Sequence, residues 1–214
     1  MLFGGEAQML GLPSTTEVDR ILPKKAFYEH LQLDSATRRS FVDDIESITV
    51  RNSVKPQTIG IPAGASVQEV LVLEVALKGE AVPEAALAAI ARSNPHRLLF
   101  VCTRGDEACL SVLLDTLVVG QWQDAAEITL KLDPTNMDRA WDVMASEAVY
   151  GDEGRAGETV EERHATDERI ARLKEQLAKV EARHRKEKQF ARRNRLFDEV
   201  KALQEEIRQL EEGR

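Results

Sequence analysis

The sequence predicts an α/β domain of the α+β kind, with a mixed or mainly antiparallel sheet flanked by helices, followed by a long coiled-coil-like C-terminal helix. Three observations predict it. Residues 12–150 mix short apolar runs with turn residues, so strands and helices interleave around one sheet. Residues 158–212 contain no Gly and no Pro and are dense in Glu, Lys, Arg, Leu and Ala, the composition of a long helix. Between them Gly151-Asp152-Glu153-Gly154-Arg155-Ala156-Gly157 reads as a glycine-rich acidic linker. The boundaries follow as a domain over 12–150, a linker over 151–158 and a helical tail over 159–212.

Within the domain the elements are legible in order. Asp34 can cap a helix running to about Glu46, with Phe41, Val42 and Ile45 on one face. Residues 47–52 then read as a strand, and Pro56 and Pro62 punctuate the segment after it. Over 67–77, Val67, Leu71, Leu73, Val75 and Leu77 alternate, predicting a strand with one fully apolar face. Pro83 and Glu84 open an Ala-rich helix that Asn94-Pro95 closes. Leu98–Thr103 and Ala108–Leu114 are apolar runs around Gly105-Asp106, a dipeptide suited to a two-residue hairpin turn. Both faces of that hairpin are apolar, which predicts a central position in the sheet. An edge strand is expected near Leu117–Gln121, and a helix from Asp133-Pro134 to about Tyr150 with Met137, Trp141 and Met144 on a stripe.

Composition narrows the function classes. The chain has 214 residues, 31% of them charged and 43% hydrophobic, which supports a packed core rather than disorder. A net charge of -8 argues against a protein that coats nucleic acid with its whole surface. No apolar stretch approaches the roughly 18 residues that span a bilayer, so no membrane association is expected. Met1–Gly11 does not read as a signal peptide, and two cysteines are no disulfide framework; reduced thiols in a cytoplasm fit both.

The tail has its own pattern. Thr159-Val160-Glu161-Glu162 fits a capping box. Ile170, Leu173, Leu177 and Val180 follow the 3-4-3 spacing of an association seam, and Val200, Leu203, Ile207 and Leu210 follow it again out of phase. The intervening residues admit either one helix with a phase slip or a helical hairpin. Without Gly or Pro near the middle the continuous helix is favoured, roughly 80 Å long at 1.5 Å per residue. Its narrow apolar stripe needs cover from a second copy, another protein or the chain's own domain. Between the seams Arg183, Arg185, Lys186, Lys188, Arg192, Arg193 and Arg195 are opposed only by Glu187. These seven cations are candidate nucleic-acid contacts, weighed against a solvated midsection because they spread around a single helix. Phe190 among them is either a base-stacking ring or a packing knob.

The residues Gly11-Leu12-Pro13-Ser14-Thr15-Thr16-Glu17-Val18, Ile21-Leu22-Pro23-Lys24-Lys25-Ala26-Phe27-Tyr28, Phe41-Val42-Asp43-Asp44-Ile45-Glu46, the strand within Glu69–Lys78, and Glu187-Lys188-Gln189-Phe190 with the Leu-rich helix after it form a recurring set. Together they resemble the prokaryotic family called domain of unknown function 4391. Val50-Arg51-Asn52 stands where that family's pattern has a tryptophan, a departure that bears on packing. The resemblance implies genes set beside SNF2-type helicases and DNA methyltransferases of restriction-like systems, hence a role in DNA modification or phage defence. It implies no catalytic mechanism.

A restriction-type nuclease core needs metal-holding acids on adjacent strands and a lysine two residues beyond the last acid. Asp43, Asp44 and Glu46 lie before the first predicted strand, Glu69 and Glu74 fall on opposite faces of the alternating strand, and Lys78 follows Glu74 by four residues. The motif is broken. Cys102 and Cys109 should face each other across the hairpin, as small buried hydrophobes rather than half a metal site. His30, His96, His164 and His184 have no ligand spacing, Ser35, Ser40 and Ser93 sit in no nucleophile turn, and Gly4-Gly5 lacks a phosphate-loop context. Trp122 and Trp141 read as packing anchors. No catalytic, cofactor-binding or metal-binding residue is therefore assigned. The expectation is a non-catalytic accessory or assembly subunit of a DNA-modification or phage-defence system. Its expected partners are a second copy through the tail, a SNF2-type helicase or DNA methyltransferase, and DNA. The alternatives are a metal-dependent nuclease using Asp43 or Glu46 with Glu69 or Glu74, and a nucleic-acid-binding module built on the basic segment.

Overall fold

Strands that are apolar on both faces must be covered on both, and the architecture follows from that requirement. The computed structural model describes residues 10–213. The expectations for a signal peptide and for Gly4-Gly5 therefore lie mostly or wholly outside the described residues. The chain divides into two units, the first ending at Val160 and the second beginning at Glu161.

The first unit holds a seven-stranded sheet of β1 (Glu17–Leu22), β2 (Ile45–Val54), β3 (Val70–Leu77), β4 (Arg97–Arg104), β5 (Glu107–Leu113), β6 (Leu117–Val119) and β7 (Gln123–Asp124). The order runs from β1 to β6 in sequence, with β7 also beside β5. Every pairing is antiparallel except β3 with β4, which are parallel. Parallel neighbours cannot be joined by a tight turn, and α4 (Glu84–Ser93) supplies the crossover between them. This βαβ unit is what makes the sheet mixed.

Two cores result. On one face α1 (Lys24–His30), α2 (Ser35–Asp43) and α4 cover Ile48, Val50, Leu73, Val75, Phe100 and Cys102, with Phe41, Leu87 and Ile90 reaching down from the helices. On the other, α5 (Met137–Tyr150) lays Trp141, Met144 and Ala148 over Val54, Val70, Val72, Leu99, Val101 and Val112. The strand expected over 67–77 thus starts at Val70 and is apolar on both faces at its beginning, because α5 covers the side that an alternating strand would leave wet. In β2 the face changes along the strand. Ile48 and Val50 point to the first core and Val54 to the second, across a register shift between Val50 and Asn52 that re-aims the side chains.

Local signals place the element ends. The Asp34 carboxylate accepts the N–H groups of Ala36 and Thr37, both at 2.8 Å, and starts α2 as expected. That helix stops at Asp43 rather than Glu46, because Ile45 is drawn into the core as the first residue of β2. The hairpin of β4 and β5 turns at Gly105-Asp106 with Gly105 at φ +59°, a left-handed value that glycine adopts freely, and it sets Cys102 opposite Cys109. The last helix of the unit begins later than Asp133-Pro134. Asn136 is its cap, accepting the Arg139 N–H at 2.9 Å, while Asp133 closes a turn ahead of it. The sequence reading did not resolve β1, α1 or α3 (Pro56–Ile59).

The second unit corrects the preferred reading of the tail. There is no continuous helix. The described chain forms α6 (Val160–Lys186) and α7 (Phe190–Glu212), which run back along each other. Val180 packs with Leu196, Val200 and Leu203, joined by Leu173 and Leu177. Arg169 reaches Glu206 at 2.6 Å and Lys174 reaches Glu211 at 2.7 Å, pairs possible only when the helices fold back on each other. Burial supplies the reason. A single rod would leave both apolar stripes wet, whereas breaking one turn lets each cover the other. The turn needs neither Gly nor Pro, since the Glu187 carboxylate accepts the Gln189 N–H at 2.8 Å and Gln189 takes an extended conformation.

One buried-edge clamp in the first unit is testable. The Asp138 carboxylate on α5 accepts the N–H groups of Ala65, Ser66 and Val67 at 2.7–3.0 Å, and it sits so close to Gly64 that a side chain there would collide with it. Burial of the carboxyl works against its ionisation, but the three amides outweigh burial and hold the group below the usual carboxylate range. Asp138→Ala is expected to lower stability by about 1.5–2 kcal/mol, the lower part of the range for hydrogen bonds to a charge, because Ala65 and Ser66 are exposed residues. The clamp contributes fully above the unfolded-state pKa of 3.8, and the contribution is lost as pH falls through the lower folded value. Urea denaturation at pH 7 and pH 3 checks this: the gap between parent and Asp138→Asn should narrow at the lower pH.

Candidate nucleic-acid interface

The turn at Glu187–Gln189 converts a spread of charge into a cluster. On one straight helix the seven cations would have pointed around the axis. Folded back, Arg183, Arg185 and Lys186 end α6, Lys188 lies in the turn, and Arg192, Arg193 and Arg195 open α7. All seven therefore lie within about 10 Å of the turn along the two helices, at 1.5 Å per residue. All seven are exposed. Offset only by Glu187, they give the tip a formal charge of +6 in a chain whose total is -8, so the remainder carries -14.

These cations differ from their neighbours on the same hairpin in one respect. Away from the tip, Arg169, Arg172, Lys174, Lys179 and Arg208 each hold a glutamate at 2.6–3.2 Å. Among the described residues none of the seven tip cations makes an ion pair. The last turn of a helix favours cations through the backbone dipole, which suits Arg183, Arg185 and Lys186. The tip also carries two exposed rings. Phe197 is 45% exposed, with the Lys201 ammonium 4.7 Å above it and the His184 ring 6.0 Å away. Phe190 is 70% exposed. Unpaired cations beside exposed rings are the physical elements of a phosphate- and base-contacting surface.

The seam residues lie along the two helices of the hairpin. Ile170, Val180, Val200, Leu203 and Ile207 are buried, while Leu173, Leu177 and Leu210 are half-buried. Val180, Val200 and Leu203 pack together within the hairpin itself.

The acids of the nuclease alternative are dispersed and engaged. Glu74 holds Arg51 at 2.6 Å, and Arg51 also reaches Asp19 at 2.7 Å. Glu69 accepts the Ser53 hydroxyl at 2.5 Å and lies 3.5 Å from His96 and 4.0 Å from Lys55. Asp44 takes the Ser40 hydroxyl, and Lys78 donates to the Val42 carbonyl. The register sets Ile45 beside Leu77 and Val54 beside Val70, so Asp43, Asp44 and Glu46 lie at the opposite end of β3 from Glu69. Among the described residues no three His, Cys, Asp or Glu side chains are grouped to hold a metal ion.

Cys102 and Cys109 are free and buried, and hydrogen bonding to Cys109 together with burial pushes the Cys102 thiol well up, so it stays protonated. Trp141 is buried with the Arg97 guanidinium 5.4 Å from its ring, and Trp122 lies under Arg104 at 4.6 Å. One feature escaped sequence reading: a cleft of about 260 Å³ at the start of β4, lined by Ser66, Asn94, His96, Arg97, Leu113 and Trp141. Its walls come from segments distant in sequence, and the adjacent basic pair His96-Arg97 was its only local sign.

A family model described as Domain of unknown function (DUF4391) matches residues 10–207. The chain belongs to this family. No curated protein and no solved structure matches the chain. The DUF4391 match takes in the sheet domain and most of the helical hairpin, so the family's shared sequence includes the turn. The segment Glu187-Lys188-Gln189-Phe190 that carried the resemblance is that turn and the first residue of α7. At Val50-Arg51-Asn52, Val50 is buried, Arg51 bridges Asp19 and Glu74, and the Asn52 amide donates to the Thr16 hydroxyl at 2.9 Å.

The reversal is checked by a distance. Spin labels at introduced cysteines 174 and 211 should report a separation well under half of the about 55 Å that a continuous helix would impose at 1.5 Å per residue. The native thiols are buried and stay unlabelled in the folded chain. A pulsed dipolar measurement near the longer value would overturn the hairpin.

Proposed function

We propose that this DUF4391 protein is a non-catalytic accessory subunit of DNA-modification or phage-defence machinery, and that it grips the DNA backbone with the tip of its helical hairpin. One observation carries the proposal: seven exposed cations, none in an ion pair among the described residues, converge on a single turn. Phosphate contacts of this kind act through charge and release counterions, so they read position rather than sequence. A protein with this property alone needs a second component to supply chemistry. Its proposed partner is a SNF2-type helicase or a DNA methyltransferase, as the family resemblance implies, and the proposed place of action is the cytoplasm. Among the described residues no helix is long and apolar enough to cross a membrane. Self-association through the tail is not part of the proposal, because the hairpin packs Val180, Leu196, Val200 and Leu203 against one another. The dispersal of Asp43, Glu46, Glu69 and Glu74 argues against the nuclease alternative.

DNA binding measured against salt tests the proposal. The parent should bind a 20-base duplex with log affinity falling linearly in log salt. Arg192→Ala, Arg193→Ala and Arg195→Ala together should flatten that slope by about 2.7, at about 0.9 for each phosphate left without its cation. A control removing the same charge elsewhere, Arg169→Ala, Lys174→Ala and Arg208→Ala, should leave the slope near the parent's. Equal effects of the two triples would refute a tip-specific contact. Supercoiled DNA incubated with Mg²⁺ or Mn²⁺ should stay intact; cleavage abolished by Glu74→Ala would replace this proposal with the nuclease.

A further inference from the structure

Phe190 is the most exposed large ring of the hairpin, and the two rings there are not equivalent. Phe197 has a cation over its face and His184 beside it. Phe190 makes no ring or cation contact among the described residues, and it begins α7 at the turn itself, next in sequence to Gln189 and close to Lys188, Arg192 and Arg193. Water exposure of a phenyl group forgoes its burial energy, and a substitution to any polar residue would relieve that cost. Here the ring stands with open faces inside a field of +6.

We infer that the tip recognises DNA whose bases are unstacked, a single strand or the junction where a duplex opens, with Phe190 stacking on an exposed base while the surrounding cations hold the adjoining phosphates. The inference rests on the proposed DNA binding and goes beyond it by naming the state of the DNA. In an intact duplex each base face is covered by its neighbours, and a ring on a convex tip has nothing to stack on. At a junction or along a single strand the base faces are free, and stacking on an aromatic side chain tolerates any base. Cations alone would bind duplex and single strand by charge density, without this preference.

The experiment uses the full-length chain and fluorescence anisotropy with three labelled probes of 20 nucleotides: a blunt duplex, a single strand, and a duplex with a ten-base 3′ overhang. The parent should favour the single strand and the overhang probe over the blunt duplex by about tenfold, the size of one stacking contact. Phe190→Ala should remove that preference, lowering single-strand and overhang affinity to the level of the blunt duplex. Phe190→Trp should restore it and show quenching of the new indole on the single strand. The ring is exposed, so neither variant disturbs the packed seam. Equal binding to all three probes by parent and Phe190→Ala would overturn the inference and leave the backbone contact standing. No binding to any probe would remove the proposed function as well. Sedimentation with vesicles of phosphatidylserine and phosphatidylcholine adds the competing outcome: capture by vesicles that Phe190→Ala abolishes, with no preference among the DNA probes, would make the tip a membrane anchor and overturn the inference.

Discussion

The reversal of the chain at Glu187–Gln189 is the constraint on which the cationic tip depends. Two apolar stripes that are out of phase along one helix come into phase across two, and Val180, Leu196, Val200 and Leu203 close the gap between them. The same step forces like charges together. Seven cations gathered around one turn repel one another, and one or two glutamates there would relieve the repulsion as they do elsewhere on the hairpin. Between Arg183 and Arg195 the chain offers only Glu187, whose carboxylate is bound to the Gln189 backbone. A site that opposes local stability in this way, on an otherwise well-paired scaffold, is where function is expected to lie.

The sheet domain solves a different problem with the same physics. β3, β4 and β5 are apolar on both faces, so neither face can be left to water, and helices must arrive from two directions. The α4 crossover brings one layer and makes β3 and β4 parallel. The α5 layer comes from beyond the last strand and is tied to the loop ahead of β3 through Asp138 and the amides of Ala65, Ser66 and Val67. At the β1 edge the device changes. Val18 and Ile21 are exposed, and the pairing of β1 with β2 shifts between Glu17 and Arg20, where Asp19 takes a left-handed φ of +46°. An irregular edge of this kind is a poor template for pairing with another chain.

What the sequence made legible follows from the range of each signal. The Asp34 cap, the Asn94 stop and the Cys102–Cys109 register are set by residues a few positions apart, and each was readable. β1 was not, because an exposed edge strand buries no regular face and Glu17–Leu22 shows no alternation to detect. The parallel pairing of β3 with β4 was open because hydrophobic pattern carries no direction. In the tail, the periodicity identified the apolar positions and failed on their partners. Two registers out of phase are what a hairpin needs, and the absence of Gly and Pro outweighed that sign although a glutamate and an extended glutamine suffice to turn the chain. The cationic segment was visible as composition, but its convergence on one point was invisible until the reversal was known. The cleft at His96 and Arg97 joins residues from 66 to 141, a separation that no local pattern spans.

Charge balance also limits how such a protein can meet DNA. The residues outside the tip carry -14, so they repel a phosphate backbone while the tip attracts it. A uniformly basic surface would slide and roll on a duplex in many orientations. An acidic chain with one basic point admits only approaches that bring the turn to the phosphates, and the repulsion elsewhere penalises the rest. In the proposed function this distribution trades affinity for orientation. Such a charge distribution fits the proposed contact at the tip and is poorly suited to binding DNA for storage or compaction.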